Sequence, residues 1–178
     1  MVYKLKIYEI NDCKASSLGE YLINLLKLEQ DEQIIYITAT DDYTGYMIFG
    51  YENGKFSKIE LSSYTTKTNR KKLANAYSGL SKLVYIAYVR QDIELVAYSS
   101  INKVLAFNTS SISIKSTRDS QGVQVLKEKK GSYMCSVKTV EESGIKNLEY
   151  YRTKNIPAVG YYIKEEDANV PIFDISVE

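Results

Sequence analysis

Cationic side chains recur in the polar segments between the apolar runs of this chain. They are Lys14 in the first part, Lys67, Arg70, Lys71 and Lys72 in the middle, and Lys115, Arg118, Lys127, Lys129 and Lys130 further on. Lysine and arginine bind phosphate oxygens, so a row of such residues can follow a nucleic-acid backbone without reading its sequence. Lysines in turns can also serve only to solubilise a protein and to blunt strand edges. Both interpretations are open at the level of residue types.

Other residue patterns that carry chemistry are missing. The chain contains no histidine, which removes the commonest general base and metal ligand. It has no glycine-rich phosphate loop, and Cys13 and Cys135 lie far apart without metal-ligand spacing. We interpret the acidic clusters as solvated turns; they are Asp41-Asp42, Glu141-Glu142 and Glu165-Glu166-Asp167. The sequence therefore predicts no catalytic residue, no metal site and no cofactor.

Charge and composition limit how the cations could act. With 23 Lys and Arg against 22 Asp and Glu, the net charge of +1 gives no global attraction to a polyanion. Any such binding must come from uneven placement of the cations. The 178 residues are 44% hydrophobic, enough for a single folded domain with a real core. No signal peptide or long apolar run is present, and two unpaired cysteines indicate a cytosolic protein without a membrane segment.

The elements that must position the cations form a repeat of about 50 residues. Gly50 to Tyr64 and Tyr98 to Ile112 each contain an apolar strand, a polar turn, a lysine (Lys55 or Lys103), an alternating strand and a serine-rich exit. The segment Val2 to Ile10 resembles the second half of this unit. A period of this size in a strand-rich chain is typical of propeller blades, none of which buries its apolar face alone.

Each unit also has a second half with two further expected strands. The expected strands are Tyr21 to Leu28 and Ile34 to Thr38, Leu73 to Tyr77 and Leu83 to Val89, and Val123 to Leu126 and Tyr133 to Val137. The leucine spacing of Tyr21 to Leu28 also suits a helix, but alignment with the third unit favours a strand. We therefore expect an all-β, propeller-like fold of about three four-stranded blades, with limits of about 2–45, 46–92 and 93–140, followed by a tail at 141–178.

The tail is expected to add strands to the last or the first blade. Glu141 to Leu148 is polar and typical of a loop, Ala158 to Ile163 predicts a strand, and Ile172 to Val177 could add an edge strand or fray. The first unit begins directly at its second strand. Two explanations are open: the chain starts partway through a blade, or the strand Ala158 to Ile163 completes that blade by packing on Val2 to Ile7.

Three segments together resemble a known family. Asn53 to Lys58 resembles its turn and second strand, Arg118 to Val123 its R-x-x-x-G-V step, and Leu126 to Gly131 its lysine-rich turn. Because the three segments occur in this order and with a period of about 50 residues, together they resemble the C-terminal domain of bacterial type II topoisomerase A subunits. This family includes gyrase and topoisomerase IV. The similarity runs from Val2 to about Val140.

The resemblance implies a β-pinwheel, a propeller variant whose blades exchange strands and whose basic outer rim bends duplex DNA. It implies that the ten cations bind DNA and that the domain is a non-catalytic part of an ATP-dependent topoisomerase in the bacterial cytoplasm, associated with the nucleoid. Its partners would be the breakage-and-reunion core, which lies in the same polypeptide, and the ATPase subunit. No tyrosine here is expected to be catalytic, because the DNA-cleaving tyrosine belongs to that core.

The chain departs from the family pattern in two ways. The gyrase-specific Q-R-R-G-G-K-G box is absent, and Ala15, Thr68 and Lys72 stand where the first two units should carry the Arg and Gly of the R-x-x-x-G step. A topoisomerase IV-like grip on DNA therefore fits better than strong wrapping, although gyrase parentage stays open. The alternative function is a propeller-like protein-interaction module that does not bind nucleic acid.

Overall fold

The computed structural model describes residues 1–67 and 71–168, and strands dominate that part of the chain. In chain order the strands and helices are β1 (Val2–Tyr3), α1 (Leu22–Leu26), β2 (Tyr46–Tyr51), β3 (Lys55–Glu60), β4 (Lys72–Leu73), β5 (Leu83–Val89), β6 (Glu94–Ser99), β7 (Lys103–Asn108), β8 (Ile114–Lys115), β9 (Val123–Gln124), β10 (Met134–Thr139), α2 (Val140–Ser143), α3 (Leu148–Tyr151) and β11 (Tyr161–Tyr162). The fold is all-β, as the sequence predicts.

The first sheet combines strands of the second and third repeats. The antiparallel hairpin β2–β3 is extended by β5 on one side, and β3 receives two strands of the next repeat on its other side. One is β8, which pairs in parallel with β3, and the other is β9, which pairs antiparallel with it. The two repeats are therefore joined by strand exchange, as expected for a pinwheel.

The second sheet has the order β10–β6–β7–β11. Its central hairpin, β6–β7, repeats the β2–β3 hairpin, and the tail supplies the edge strand β11 through the pair Tyr161–Val104. The tail strand therefore pairs with the third repeat. The hypothesis that it completes the first blade on Val2 to Ile7 is wrong, because β1 pairs instead with β4 of the second repeat.

Both hairpins turn through a left-handed residue at the same position of the repeat. Gly54 has φ of +74° and Asn102 has φ of +57°. Glycine and asparagine are the residues that adopt this conformation most easily in tight hairpins. The following lysine, Lys55 or Lys103, begins the second strand in each case.

The central strands are buried on both faces, so the core lies in three layers. The middle layer fills the space between the sheets, where the rings of Phe56 and Phe107 meet edge to face with centroids 4.9 Å apart. A second layer covers the outer face of the first sheet and includes Val2 of the first repeat. A third covers the outer face of the second sheet and includes Tyr151 of the tail. Each sheet thus depends on neighbouring repeats to bury its apolar residues.

The first repeat differs most from expectation. Tyr21 to Leu28 contains the helix α1 rather than a strand, and Ile34 to Thr38 forms no strand. A strand needs a partner for its backbone groups, whereas the leucine spacing of α1 satisfies a helix locally. Ile34, Ile35 and Ile37 are exposed, so no sheet buries them. Among residues 1–45, the structure shows only β1 as a strand.

Other expected limits also shift. Leu73 to Tyr77 is a strand only at its start, where β4 spans Lys72–Leu73. The expected loop Glu141 to Leu148 overlaps the helix α2, whose N-cap Thr139 forms a capping box with Glu142. Ile172 to Val177 lies outside the described residues, and the repeat limits of about 2–45, 46–92 and 93–140 stay predictions.

Candidate nucleic-acid interface

Three exposed lysines form a cationic turn, Lys127 to Lys130, between β9 and β10. The turn is held through its backbone: the amide of Lys127 donates to the Ala158 carbonyl at 2.7 Å, and the amide of Lys129 donates to Ser132 Oγ at 2.9 Å. The side chains of Lys127, Lys129 and Lys130 have no hydrogen-bond or ion-pair partner among residues 1–67 and 71–168. Their ammonium groups are therefore available to an external anion.

The one acidic residue of the cationic turn points away from these lysines. Glu128 Oε2 accepts hydrogen bonds from the hydroxyls of Ser99, at 2.8 Å, and Ser132, at 2.5 Å. Its other oxygen, Oε1, is buried and has no hydrogen-bond partner among the residues that the structure describes. Glu128 thus serves to anchor the turn, and its charge does not pair with the neighbouring lysines.

The cationic turn lies at the hairpin end of both sheets. The amide of Ser100 donates to the Tyr133 carbonyl at 2.8 Å, and the amide of Met134 donates to the Glu52 carbonyl at 2.8 Å. The amide of Glu52 in turn donates to the carbonyl of exposed Lys82 at 2.9 Å. These bonds bring Lys82 and Lys103 to the same end of the molecule as the cationic turn.

Lys82 and Lys103 are not among the cations that the sequence pattern selects. The sequence did contain a signal for Lys103, because Lys103 occupies the same repeat position as Lys55, directly after the hairpin turn. The two lysines differ in their contacts: Lys55 Nζ donates to Gln121 Oε1 at 3.1 Å, whereas Lys103 Nζ lies 5.0 Å from the centroid of the Tyr162 ring. Nothing in the pattern around Lys82 distinguishes it from any other turn lysine.

Lys71 and Lys72 have a different environment, because acidic residues of the first repeat pair with both. Lys71 pairs with Glu9, and Lys72 pairs with Glu29 at 2.6 Å and Glu32 at 3.4 Å. The hydrogen bond from Lys71 holds the pKa of Glu9 below its ordinary value. Glu29 is the main cause of the raised pKa of Lys72, followed by Tyr3. At these two lysines, DNA phosphates would compete with carboxylates that already pair with them.

Arg118 is bound by the protein's own backbone. Its Nη1 donates to the Ser63 carbonyl at 2.9 Å, while Nη2 and Nε donate at 3.3 Å to the carbonyls of Ala74 and Asn75. The guanidinium also lies 5.9 Å from the centroid of the Tyr64 ring. Its donors therefore connect the third repeat to the second, and few remain for a phosphate.

The remaining selected cations do not form one group. Lys14 is exposed in a turn closed by a hydrogen bond from Ser17 to its carbonyl. Lys67 is exposed, and Lys115 is half-buried in β8 opposite Ile59. Arg70 lies outside the described residues. Of the ten cations, the structure brings together three unpaired ones, at the cationic turn.

Other kinds of site are not found in the part of the chain that the structure describes. No group of histidine, cysteine or acidic side chains there could hold a metal ion, and no helix there is long and apolar enough to cross a membrane. Cys13 and Cys135 are unpaired, and burial raises the pKa of the Cys135 thiol. Cys135 thus has no feature of a reactive thiolate.

The chain is similar in sequence to the A subunits of DNA gyrases. That of Borreliella burgdorferi is 24% identical over 144 residues, which cover 80% of this chain and 18% of that protein. The Escherichia coli protein is 27% identical over 113 residues, 62% of this chain and 13% of that protein. The chain thus spans less than a fifth of the length of these relatives. No protein-family model matches it.

Solved structures show the same fold. The C-terminal domain of DNA topoisomerase IV superposes with a TM-score of 0.62 at 26% identity, covering 75% of this chain and 42% of that one. The DNA gyrase A C-terminal domain gives a TM-score of 0.59 at 20% identity, covering 88% and 54%. The matches fall in the C-terminal domain and not in the catalytic core. In sequence and in fold, the chain is therefore similar to the C-terminal β-pinwheel domains of type II DNA topoisomerase A subunits.

Proposed function

We propose that this domain binds duplex DNA through the cationic turn and holds it for the breakage-and-reunion core of the same polypeptide. The parent enzyme would be an ATP-dependent type II topoisomerase, working with its ATPase subunit in the bacterial cytoplasm at the nucleoid. The observation that carries the proposal is the contrast at the turn. Lys127, Lys129 and Lys130 are exposed and unpaired in the described residues, while the one carboxylate between them is anchored to serine hydroxyls.

The charge distribution favours a local grip on DNA over extended wrapping. The net charge is only +1, and carboxylates of the first repeat already pair with Lys71 and Lys72. Wrapping requires phosphate contacts over a long path, whereas a grip requires a few concentrated cations. Lysine recognises phosphate as a point charge and reads no base edge, so the contact would be independent of DNA sequence.

A salt titration of duplex binding tests the proposal. Substituting alanine at Lys127, Lys129 and Lys130 removes three phosphate contacts, each worth about 0.9 in the slope of log affinity against log salt. We expect the magnitude of the slope to fall by about 2–3 between about 50 and 200 mM salt. The DNA affinity itself should drop at least tenfold at the lower end, on the order of the loss of a few ionic contacts.

The matched control removes the same charge from ion-paired cations. Lys71, Lys72 and Arg90 each pair with a carboxylate, so alanine at these positions should change the slope by less than about one. Equal losses from the two triple variants would mean that only net charge matters and that the cationic turn is not the site. If the unchanged protein fails to bind DNA at low salt, or binds without a salt slope, the protein-interaction function replaces this one.

A further inference from the structure

An exposed aromatic surface lies at the tail edge of the second sheet. We define this tyrosine edge as Tyr150, Tyr161 and Tyr162 with the two lysines that contact their rings, Lys103 and Lys164. The three tyrosines are 39%, 47% and 61% exposed, respectively. The centroids of Tyr150 and Tyr161 are 5.1 Å apart. Tyrosine rings that pack in a core lose nearly all exposure, as buried Tyr151 beside them does.

Each lysine of the tyrosine edge lies over one ring. Lys164 Nζ is 4.0 Å from the centroid of Tyr150, and Lys103 Nζ is 5.0 Å from that of Tyr162. Neither ammonium pairs with a carboxylate among residues 1–67 and 71–168. A ring has two faces, and the exposure of Tyr162 shows that its lysine leaves much of the ring open to solvent. Because Tyr161 and Tyr162 are consecutive strand residues, their rings lie on opposite sides of the edge strand. Each side therefore presents an exposed tyrosine near an unpaired cation, Lys164 on one side and Lys103 on the other.

The tyrosine edge is continuous with the cationic turn. Tyr161 follows Ala158 by three residues, and the Ala158 carbonyl accepts the amide hydrogen bond of Lys127. On the other side, Tyr162 pairs with Lys103, which begins β7 directly after the hairpin turn that contacts Tyr133. A nucleic-acid strand held at the turn could therefore reach the rings without leaving the protein surface.

We propose that the tyrosine edge binds unpaired, single-stranded DNA by stacking bases on its rings, with phosphates on Lys103 and Lys164. This proposal rests on the proposed function, because it assigns a second form of DNA to the same end of the domain. In a duplex the base faces stack on each other, whereas unpaired bases offer a free face to an aromatic side chain. An acidic peptide would engage the lysines but supply nothing matched to the rings. A nucleotide supplies an anion and a flat ring together.

Two double variants separate stacking from charge. Tyr161→Ala with Tyr162→Ala removes two rings and keeps every cation, and Tyr161→Phe with Tyr162→Phe keeps the rings and removes the hydroxyls. The chain has no tryptophan, so labelled ligands report binding by fluorescence anisotropy: an oligo(dT) strand and a blunt duplex of the same length. We expect the alanine variant to bind oligo(dT) at least about tenfold more weakly and the phenylalanine variant to bind as the unchanged protein does.

The duplex arm distinguishes this proposal from the preceding one. Both tyrosine variants should bind duplex within about twofold of the unchanged protein, whereas alanine at Lys127, Lys129 and Lys130 should weaken duplex binding. If circular dichroism shows that the double alanine variant misfolds, Tyr162→Ala alone tests the most exposed ring. Unchanged oligo(dT) affinity in the alanine variant overturns the proposal. So does displacement of oligo(dT) by polyglutamate at equal charge, which would identify an acidic-peptide surface.

Discussion

Replacing Arg118 should damage the fold more than the DNA contact, contrary to the sequence-based prediction that it binds DNA. Its guanidinium donates to the carbonyls of Ser63, Ala74 and Asn75, on the loops that flank β4 of the second repeat. Arg118→Ala removes all three donors at once and leaves those carbonyls to water. Arg118→Lys keeps the positive charge but loses the planar fork that reaches three acceptors.

The expected cost follows from the exposure of each bond. A hydrogen bond from a charged donor is worth about 1.5 kcal/mol when shielded, as for the partly buried bond to Ser63, and about 0.5 kcal/mol at the solvent-exposed carbonyls of Ala74 and Asn75. The contact with the Tyr64 ring adds about 0.5 kcal/mol. Arg118→Ala should therefore lower the free energy of unfolding by about 3 kcal/mol, and Arg118→Lys by about 2 kcal/mol.

Urea unfolding followed by circular dichroism measures this change, and duplex titration of the folded variants measures DNA affinity. Lys130→Ala is the matched control, because Lys130 is exposed and unpaired in the described part of the chain. We expect Lys130→Ala to weaken DNA binding without moving the urea midpoint. Both Arg118 variants should lower the urea midpoint and leave the DNA affinity of the folded protein nearly unchanged. An unchanged midpoint for Arg118→Ala, together with a loss of DNA affinity as large as that of Lys130→Ala, would refute the structural role.

Two further perturbations test how the repeats are joined. At Gly122, φ is +72° and an added Cβ would lie 1.8 Å from the Phe56 carbonyl oxygen, so Gly122→Ala should lower the free energy of unfolding by about 3 kcal/mol or more. At Gly79, no atom of the described residues lies within 4 Å of an added Cβ, so Gly79→Ala should leave the urea midpoint nearly unchanged. Asp92→Asn removes the negative charge that pairs with buried Lys58 at 2.5 Å and should lower the free energy of unfolding by about 2–4 kcal/mol. Lys58→Met in the same chain should restore much of that loss. Burial acts to raise the pKa of Asp92, but Lys58 and Thr109 outweigh it and hold that pKa below its ordinary value. The stabilisation by Asp92 is therefore complete above about pH 4 and lost as pH falls through the lower folded pKa, and urea midpoints of Asp92→Asn should lack this acid-dependent loss.

The second and third repeats could be predicted from the sequence because their signals agree with one another. Their hairpins combine an apolar strand, a turn residue suited to a left-handed conformation and a lysine at a fixed offset. The strand Leu83 to Val89 appears with its expected limits, and β10 covers most of Tyr133 to Val137. In these repeats, residues distant in sequence bury both faces of the central strands, so local pattern and tertiary packing favour the same structure.

The first repeat could not be predicted in this way, because alignment with the third repeat carried over a strand that has no partner in the described structure. The local helical spacing of Leu22, Leu25 and Leu26 was the better guide. The environment of each predicted DNA-binding cation could not be read from the sequence for a related reason. Residue type identifies a cation, but only the fold shows that carboxylates pair with Lys71 and Lys72 and that Arg118 contacts backbone carbonyls.

The structure gives the arginine and the glycine of the R-x-x-x-G step structural roles that do not involve DNA. Arg118 fastens the exchanged segment to the loops around β4, and Gly122, which lacks a side chain, lets that segment approach Phe56 closely enough for β9 to pair with β3. Neither role requires DNA. The motif therefore serves the strand exchange of the pinwheel, whereas the DNA contact that we propose involves the cationic turn, Lys127 to Lys130, which takes no part in that exchange. If the proposed DNA contact is correct, variants of Arg118 and Gly122 should lower stability, and variants of the three turn lysines should lower DNA affinity.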